Sequence, residues 1–522
     1  MSSPAPKSPD QSDKSKKYDR QIRLWGDHGQ ALLESAKVCL VNATAVGCEA
    51  LKGIVLPGIG GFTIVDGSIV TEDDLGVNFF LDSSYLHKSK AMACMRLVVE
   101  LNPDVSGDYV DESIEYILSN RPAFFETFDV VVASNLSEQI LLELSNTLWK
   151  ANVPFIYCRS LGFFGSIRLQ FEEHCVIEAH PDNQQTDLRL EEPFALLKQH
   201  IEHTEVTSKV PWLLVLNKYL NQYRALHNNE TPKNYKQKSE LRELIRSGMS
   251  NEEENHEEAI KAVNTAFGGG IVTKNLKEIF DDDSCENLNK QSDNFWIIAK
   301  ALKDFVIMDN NGFLPVPGVL PDMTANTESY INLQNVYRQQ ALQDADNVYR
   351  KCQTYLKDLG LPEEKIDEKS VRLFCREAAN VAFIRGTNIS NEYEKNTRIL
   401  AIVDNLKEQD SFTEQYIALR AYESFLTEYG SIPGECNVEN DVPRLKSIAS
   451  KLLGDWGSPL LLRDDIIHEI CHYGGSEVHS ISAFIGGCAA QEVIKIITKQ
   501  FKPVNNTFLY NGITSDSVTI TL

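Results

Sequence analysis

"VCLVNATAVGCEALKGIVLPGIGGFTIVDGS", residues 38–68, reads as an apolar strand, a tight loop, a helix, a second apolar strand and a strand-end acid, Asp66. That order is the outline of a nucleotide-binding βαβ unit. In such a unit a glycine-rich loop lets backbone N–H groups approach phosphates, and the helix N-terminus adds positive potential. Here the loop is Asn42-Ala43-Thr44-Ala45-Val46-Gly47, and only Gly47 keeps the glycine spacing. Asn42 and Thr44 put side chains where close approach wants none. The loop predicts a sheet that keeps the scaffold of a nucleotide site but holds no nucleotide. Asp66 then reads as a cap on the turn before Gly67, not as an acid for a ribose.

Outward from this unit the alternation continues. "KVCLVNA" (37–43), "GFTIVD" (61–66), "FDVVVAS" (128–134) and "VPFIYCRS" (153–160) are short runs rich in Val and Ile. Helical patterns lie between them at 87–103 and 137–151. Strands alternating with helices predict a parallel sheet of Rossmann type. "FFGSIRLQF" (163–171) predicts one more strand, antiparallel at the edge. From about 185 to 475 helical patterns dominate. In "YINLQNVYRQQALQDADNVYRKCQTYLKDL" (330–359), Leu333, Val336, Tyr337, Leu342, Val348, Tyr349, Cys352, Tyr355 and Leu356 fall at helical spacing. The polar stretches 225–257 and 281–293 read as loops or linkers. The α/β texture then returns. "HSISAFIGGCAAQEVIKIITKQF" (479–501) is a long apolar helix whose Gly486-Gly487 would admit close approach to the sheet, and two strands follow it. The expected fold is α/β, a Rossmann-like, mostly parallel sheet interrupted by a large, mainly helical insertion. The expected domains are a disordered tail (1–17), the first part of the α/β domain (18–175), the helical insertion (176–475) and a completing segment (476–522).

A chain of 522 residues is too long for one core. Its net charge of -23 argues against nucleic acid as a partner and suits basic protein surfaces. No run of about 18 apolar residues stands out, so no membrane span is expected. The opening residues are polar, with no secretory signal. Eleven cysteines without a CxxC pair predict no zinc site and reduced thiols, in cytosol or nucleus. A nucleophilic thiolate wants a helix N-terminus or cationic neighbours. Cys39 and Cys158 lie in strands, and Cys94, Cys352 and Cys488 in apolar helix patterns, so all five read as core. Cys175 and His174 are strand neighbours on opposite faces, and Cys436 sits in an acidic loop that would raise its pKa. His468 and His472, with Glu469, match the HExxH order of zinc proteases. The flanks offer no third ligand, and the stretch reads as a helix ending near Gly474.

"YDRQIRLWGDHGQ" (18–30), "LKGIVLPGIGGFTIVD" (51–66), "LPVPGVLPDM" (314–323) and the 479–501 helix together resemble the ubiquitin-like-protein activating enzymes, from Tyr18 to Leu522. The similarity is greatest to the regulatory side of the neddylation branch. It implies an adenylation fold and an obligate heterodimer. One chain carries ATP, magnesium and a catalytic cysteine, adenylates the C-terminal glycine of a ubiquitin-like modifier and then forms a thioester. The catalytic chains of that family carry GxGGxG where this chain has Asn42, Thr44 and Ala45. They have a second acid where Ser68 stands, and Asn-Arg-Gln where Gly76, Val77 and Asn78 stand. The resemblance therefore implies a non-catalytic subunit that binds no cofactor itself, with ATP and Mg held by the partner.

It also implies that Arg20 reaches across the dimer to the ATP phosphates, a role that suits a forked, permanently charged guanidinium. A surface arginine paired with Asp19 or Asp27 is the plainer alternative. Arg23 is expected to support packing or the interface. The resemblance places partner contacts after residue 323, with Ile331, Leu333, Tyr337, Arg338 and Gln339 as the candidates. The amyloid-precursor-protein tail is a further implied partner. The acidic stretch 250–259 reads as a solvated loop. Two other readings stay open: a self-sufficient nucleotide-binding or adenylating enzyme, and a non-enzymatic helical adaptor.

Overall fold

The computed structural model describes residues 16–182, 186–249, 253–393, 406 and 411–522. The expected tail lies outside them as far as residue 15, and Lys17 is anchored by an ion pair to Asp104 at 2.8 Å. Five strands, β1 (Lys37–Val41), β2 (Gly61–Val65), β3 (Ser106–Val110), β4 (Val130–Ser134) and β5 (Phe155–Leu161), run parallel in the order β3-β2-β1-β4-β5. The register sets Cys39 opposite Thr63 on one side and Val131 on the other. Strand β4 is buried along its whole length, as a central parallel strand covered on both faces must be. Strand β3, "SGDYV", has no apolar run because it is a largely exposed edge strand, and it was not among the expected strands. Helix α1 (Asp19–Ser35) precedes β1, and α2 (Ala45–Val55) connects β1 to β2.

Strand β6 (Phe164–Gln170) is antiparallel to β5, as expected, but it is not an edge. Late strands pair on its far side, so all of its residues are buried. A short pair, β7 (Glu173–Val176) and β8 (Ala382–Arg385), forms a separate two-stranded sheet. The chain divides into two compact units, one formed by Met1–His174 with Ile384–Leu522 and the other by Cys175–Phe383.

The second unit is mainly helical. Helix α3 (Thr327–Asp358) spans 32 residues and serves two cores, giving Leu333 and Tyr337 to one and Val348, Cys352 and Leu356 to the other. Helix α4 (Glu368–Glu377) adds Val371, Phe374 and Cys375 to the latter. Leu342, expected in the core, is 38% exposed, while Ala345 is buried in its place. The stretch 225–257 is not a loop. It contains the helix Tyr235–Ser247, closed by a capping box between Asn234 and Gln237 and held by buried Leu241 and Ile245. The acidic stretch likewise forms the helix Glu254–Ala262, with Ala259 and Ile260 buried; residues 250–252 lie outside the described ones. In both helices a few apolar residues are outnumbered by charged and polar ones, which hides the apolar face in the composition. The second polar stretch, 281–293, holds a single short helix, Asp283–Glu286.

The chain returns to the first unit at residue 384, not 476. Helices α5 (Ser411–Tyr429), Val438–Asp455 and α6 (Asp464–Tyr473) close a core with Leu161, Phe164 and Leu509 of the sheet. Their helical texture resembles that of the insertion, and texture does not tell which core a helix serves. Helix α7 (His479–Thr498) follows, and β9 (Thr507–Asn511) and β10 (Asp516–Ile520) complete an eight-stranded sheet, β10-β9-β6-β5-β4-β1-β2-β3. Among the described residues α7 is the one helix long and apolar enough to cross a bilayer, contrary to the expected absence of such a run. Here its apolar side is used by α2 and the sheet. The close approach at Gly486 is to α2: a Cβ there would stand 2.6 Å from the Glu49 Cβ and 2.8 Å from the Ala50 nitrogen. Gly487 faces open space.

Candidate functional site

The loop between β1 and α2 is filled by its own side chains. Asn42 adopts φ 66° and donates from Nδ2 to the carbonyls of Ser134 and Asn135, at 2.9 and 3.2 Å. The Thr44 hydroxyl lies 2.7 Å from that of Ser134 and caps α2 by accepting from the Gly47 amide. Gly47 is needed for this closeness, since a Cβ there would come within 2.9 Å of the Asn42 carbonyl oxygen. Asp66 is 6% exposed and turned inward. Its Oδ2 accepts from the Ala43 amide at 2.9 Å, and its Oδ1 accepts from the amide and hydroxyl of Ser68. Asp66 thus caps its turn, as expected, and also ties the loop. Asn78, where the catalytic chains are expected to carry Gln, is buried and donates to the Ala43 carbonyl at 3.3 Å.

The N-terminus of α2 is occupied from far away in the chain. The Glu477 carboxylate accepts from the Ala45 amide at 2.8 Å and the Val46 amide at 3.0 Å. These amides and the helix dipole are what such a unit offers to a phosphate. Glu477 follows the left-handed stop of α6 at Gly474, so the turn into α7 delivers it to the loop. Burial pushes its carboxyl up to about 7, against the opposing pull of the two amides and Ser482. Lys90 pairs with Asp74 at 2.7 Å and bears electrostatically on both Asp66 and Glu477. Beside the loop, a cavity of about 40 Å³ is lined by Val46, Asn135, Ser160, Tyr422 and Glu477 among others. Small-molecule pockets usually need roughly 300–1,000 Å³. Arg159, on the same wall, is spent on Glu423 at 2.7 Å and Ser166 at 2.9 Å. The amides at the α2 N-terminus and the Arg159 guanidinium are thus already engaged by the chain's own carboxylates. Sequence reading missed Glu477 and Lys90; the only local cue was the turn sequence Gly474-Gly475-Ser476 ahead of a lone acid.

Arg20 lies at the other end of the sheet. Its neighbour Tyr18 is buried, with its hydroxyl 3.2 Å from Asp104 and 3.0 Å from Asn102, and Gln21 donates to the Pro57 carbonyl at 2.6 Å. These partners lie in turns that lead into β2 and β3, at the N-terminal ends of the parallel strands, whereas the loop 42–47 follows the C-terminal end of β1. A strand of this length separates the two ends by roughly 16 Å. Arg20 is exposed, and it makes no ion pair among the described residues. Asp19, its suggested partner, is instead paired with Arg23 at 2.9 Å.

The other candidates separate by burial. Leu333 and Tyr337 are both 0% exposed, and the Tyr337 hydroxyl donates to the Leu188 carbonyl at 2.5 Å. Their expected place at a partner surface is corrected: both belong to the core of their own unit. Ile331, Arg338 and Gln339 are exposed on the same helix. Of the cysteines, Cys436 is exposed, Cys175 and Cys488 are intermediate, and the other eight are buried. Burial pushes the Cys158, Cys285 and Cys352 thiols up to about 12. His174 is buried and Cys175 partly exposed, on opposite faces of β7. His468 and His472 are exposed on α6, and among the described residues no group of three His, Cys, Asp or Glu is placed to hold a metal.

The ThiF family pattern matches residues 18–522. The chain is 67% identical to the Nedd8-activating enzyme E1 regulatory subunit of Drosophila melanogaster, over 100% of both chains. It is 45% identical to the Xenopus laevis NEDD8-activating enzyme E1 regulatory subunit, over 98% of this chain and 99% of that one. The Arabidopsis thaliana subunit AXR1 is 36% identical over 95% of this chain and 94% of its own. With a sheet of adenylation type and relatives matched along nearly the whole length, the chain belongs to the ThiF family, in the branch of the NEDD8-activating enzyme E1 regulatory subunits.

Proposed function

We propose that this chain is the regulatory half of a two-chain enzyme that activates NEDD8, and that it supports adenylation without binding ATP itself. The observation that carries this reading is the Glu477 carboxylate on the Ala45 and Val46 amides. A second anion at that helix terminus would meet an occupied donor pair and a buried acid. ATP, magnesium and the thioester-forming cysteine then belong to a catalytic partner subunit. The burial of eight of the eleven cysteines supports the last assignment.

The chain's own contribution is Arg20. An exposed guanidinium, unpaired among the described residues and far from its own loop, suits phosphates bound in a neighbouring subunit. There it offsets charge that develops as pyrophosphate departs. Large exposed apolar side chains, Leu24 at 60% and Phe79 at 76%, suit a surface that a permanent partner covers.

The test is ATP–pyrophosphate exchange with NEDD8 present, by this chain alone, by the catalytic subunit alone and by the mixture. Exchange confined to the mixture and slowed about 10²–10³-fold by Arg20→Ala is the expected result. Robust exchange by this chain alone would restore the self-sufficient reading. Full exchange by the mixture with Arg20→Ala would remove Arg20 from the chemistry and favour the adaptor reading.

A further inference from the structure

Three guanidiniums and two carboxylates are buried together in the first unit. Arg159 pairs with Glu423 at 2.7 Å, and Arg168 with Glu392 at 2.5 Å. The second oxygen of each carboxylate is also engaged, since Glu423 accepts from the Tyr393 hydroxyl at 3.1 Å and Glu392 from the Tyr416 hydroxyl at 2.9 Å. Arg420 is the surplus cation. It is 3% exposed and makes no ion pair among the described residues. Its Nη1 donates to the Tyr416 hydroxyl at 3.0 Å and the Glu392 carbonyl at 3.3 Å, while Nε is buried without a hydrogen-bond partner. The rings of Tyr393, Trp456 and Tyr416 stand 3.5, 5.7 and 5.8 Å from the guanidinium carbon and hold it in place. A buried cation without a carboxylate is costly to fold around.

Arg420 lines a pocket of about 360 Å³ between α5, the helix Val438–Asp455 and the helix Glu138–Lys150. That volume falls within the roughly 300–1,000 Å³ of small-molecule sites. Leu142, Ile448 and Trp456 give the pocket an apolar wall. Glu138, on the opposite side, already accepts from the Ser424 hydroxyl. The remaining charges, Glu428, Lys451 and Asp455, are exposed at the mouth, where water and salt screen them.

We propose that this pocket binds a small organic oxyanion, a carboxylate or a phosphate monoester carried on an apolar body. The oxyanion would meet the Nε edge of Arg420, which is left without a bond, and the body would lie on Trp456 and Ile448. A guanidinium fixed by aromatic rings presents its donors to either oxyanion without further ordering. Neither Arg20, Glu477 nor any residue of the loop 42–47 lines the pocket, so the assignment is independent of how ATP is handled.

The experiment is isothermal titration calorimetry of the chain assembled with its catalytic subunit, using phenylacetate, benzyl phosphate and the uncharged benzyl alcohol. Saturable binding of at least one anion is expected, about tenfold or more tighter than the alcohol, because the bond to Arg420 is charge-assisted. The tighter of the two anions tells a carboxylate site from a phosphate site. Arg420→Met should weaken that anion by about tenfold or more. Without ligand the same variant should keep or raise the thermal midpoint, since it removes an uncompensated buried charge. If Arg420→Met does not fold, Lys451→Glu at the exposed mouth replaces it, with a loss of about threefold or more expected. Lys274→Glu, which changes a cation 90% exposed in the other unit, should leave binding unchanged. No saturable binding of either anion, equal binding of benzyl alcohol, full binding by Arg420→Met or its replacement, or an equal loss with Lys274→Glu would overturn the proposal.

Discussion

The carboxylate of Glu477 accepts from the Ala45 amide at 2.8 Å across 432 residues of chain, and the same group holds the Val46 amide at 3.0 Å. A ThiF-family sheet thus fills its own anion position with a side chain. The scaffold of the βαβ unit persists because β1, α2 and β2 build the core. Cys39, Val41 and Val65 pack on one face of the sheet, and Leu40, Leu51 and Ile54 on the other. A side chain at the anion position does not release these residues from packing.

Glu477 should make stability depend on pH. Its folded value, about 7, lies above the ordinary 4.5, so the folded chain keeps a proton that the unfolded chain gives up between these values. Stability from this group is complete below pH 4.5 and is lost as pH rises through 7. Urea unfolding of the wild type and Glu477→Gln at pH 5.5 and pH 8 measures the difference. The wild type should lose about 1–2 kcal/mol more than the variant over that interval.

Gly486 and Gly487 should behave oppositely. Gly486→Ala drives a Cβ to 2.8 Å from the Ala50 backbone nitrogen, which cannot swing aside, so a loss of about 1–3 kcal/mol is expected. Gly487→Ala meets open space within a helix and should gain about 0.5–1 kcal/mol. Thermal unfolding of the two variants side by side reads both signs.

The buried pair Arg159–Glu423 should be costly to break and cheap to replace. Arg159 is 9% and Glu423 1% exposed, and the Tyr393 hydroxyl also donates to Glu423 at 3.1 Å. Glu423→Ala leaves a buried guanidinium without its carboxylate and should cost about 3–5 kcal/mol. Arg159→Met combined with Glu423→Leu should recover most of that loss in denaturant titration. A double variant as unstable as the single one would contradict this.

Cys436 should be the first thiol to react with iodoacetamide in the folded chain, as it alone among the eleven cysteines is classed as exposed. Mass spectrometry of briefly labelled protein checks this. On the proposed assignment of the nucleophile to the partner, Cys436→Ser should leave exchange and thioester formation by the assembled enzyme unchanged.

Local pattern made much of the fold legible. The βαβ unit and the helix Glu138–Lys150 follow from short-range periodicity, and they appear where the sequence predicts them. The rest depends on contacts that no local window holds. Glu477 meets Ala45 only after the chain has passed through a second unit. Leu333 and Tyr337 carry interface chemistry, yet their own unit buries them. Helices α5 and α6 resemble the insertion in composition and pack instead on β6 and β9. Arg20 is suggested by the resemblance alone, and the fold adds its position at the far end from the loop.

The most direct test of the central claim is the number of ATP molecules bound per assembled enzyme, measured by equilibrium dialysis of the two-chain protein in saturating MgATP. A loop closed by Glu477, Asn42 and Thr44 predicts one ATP per pair of chains, and none retained by this chain alone. Two ATP per pair would show that the Ala45 and Val46 amides still receive a phosphate, and that the self-occupied loop is not the reason for division of labour between the subunits.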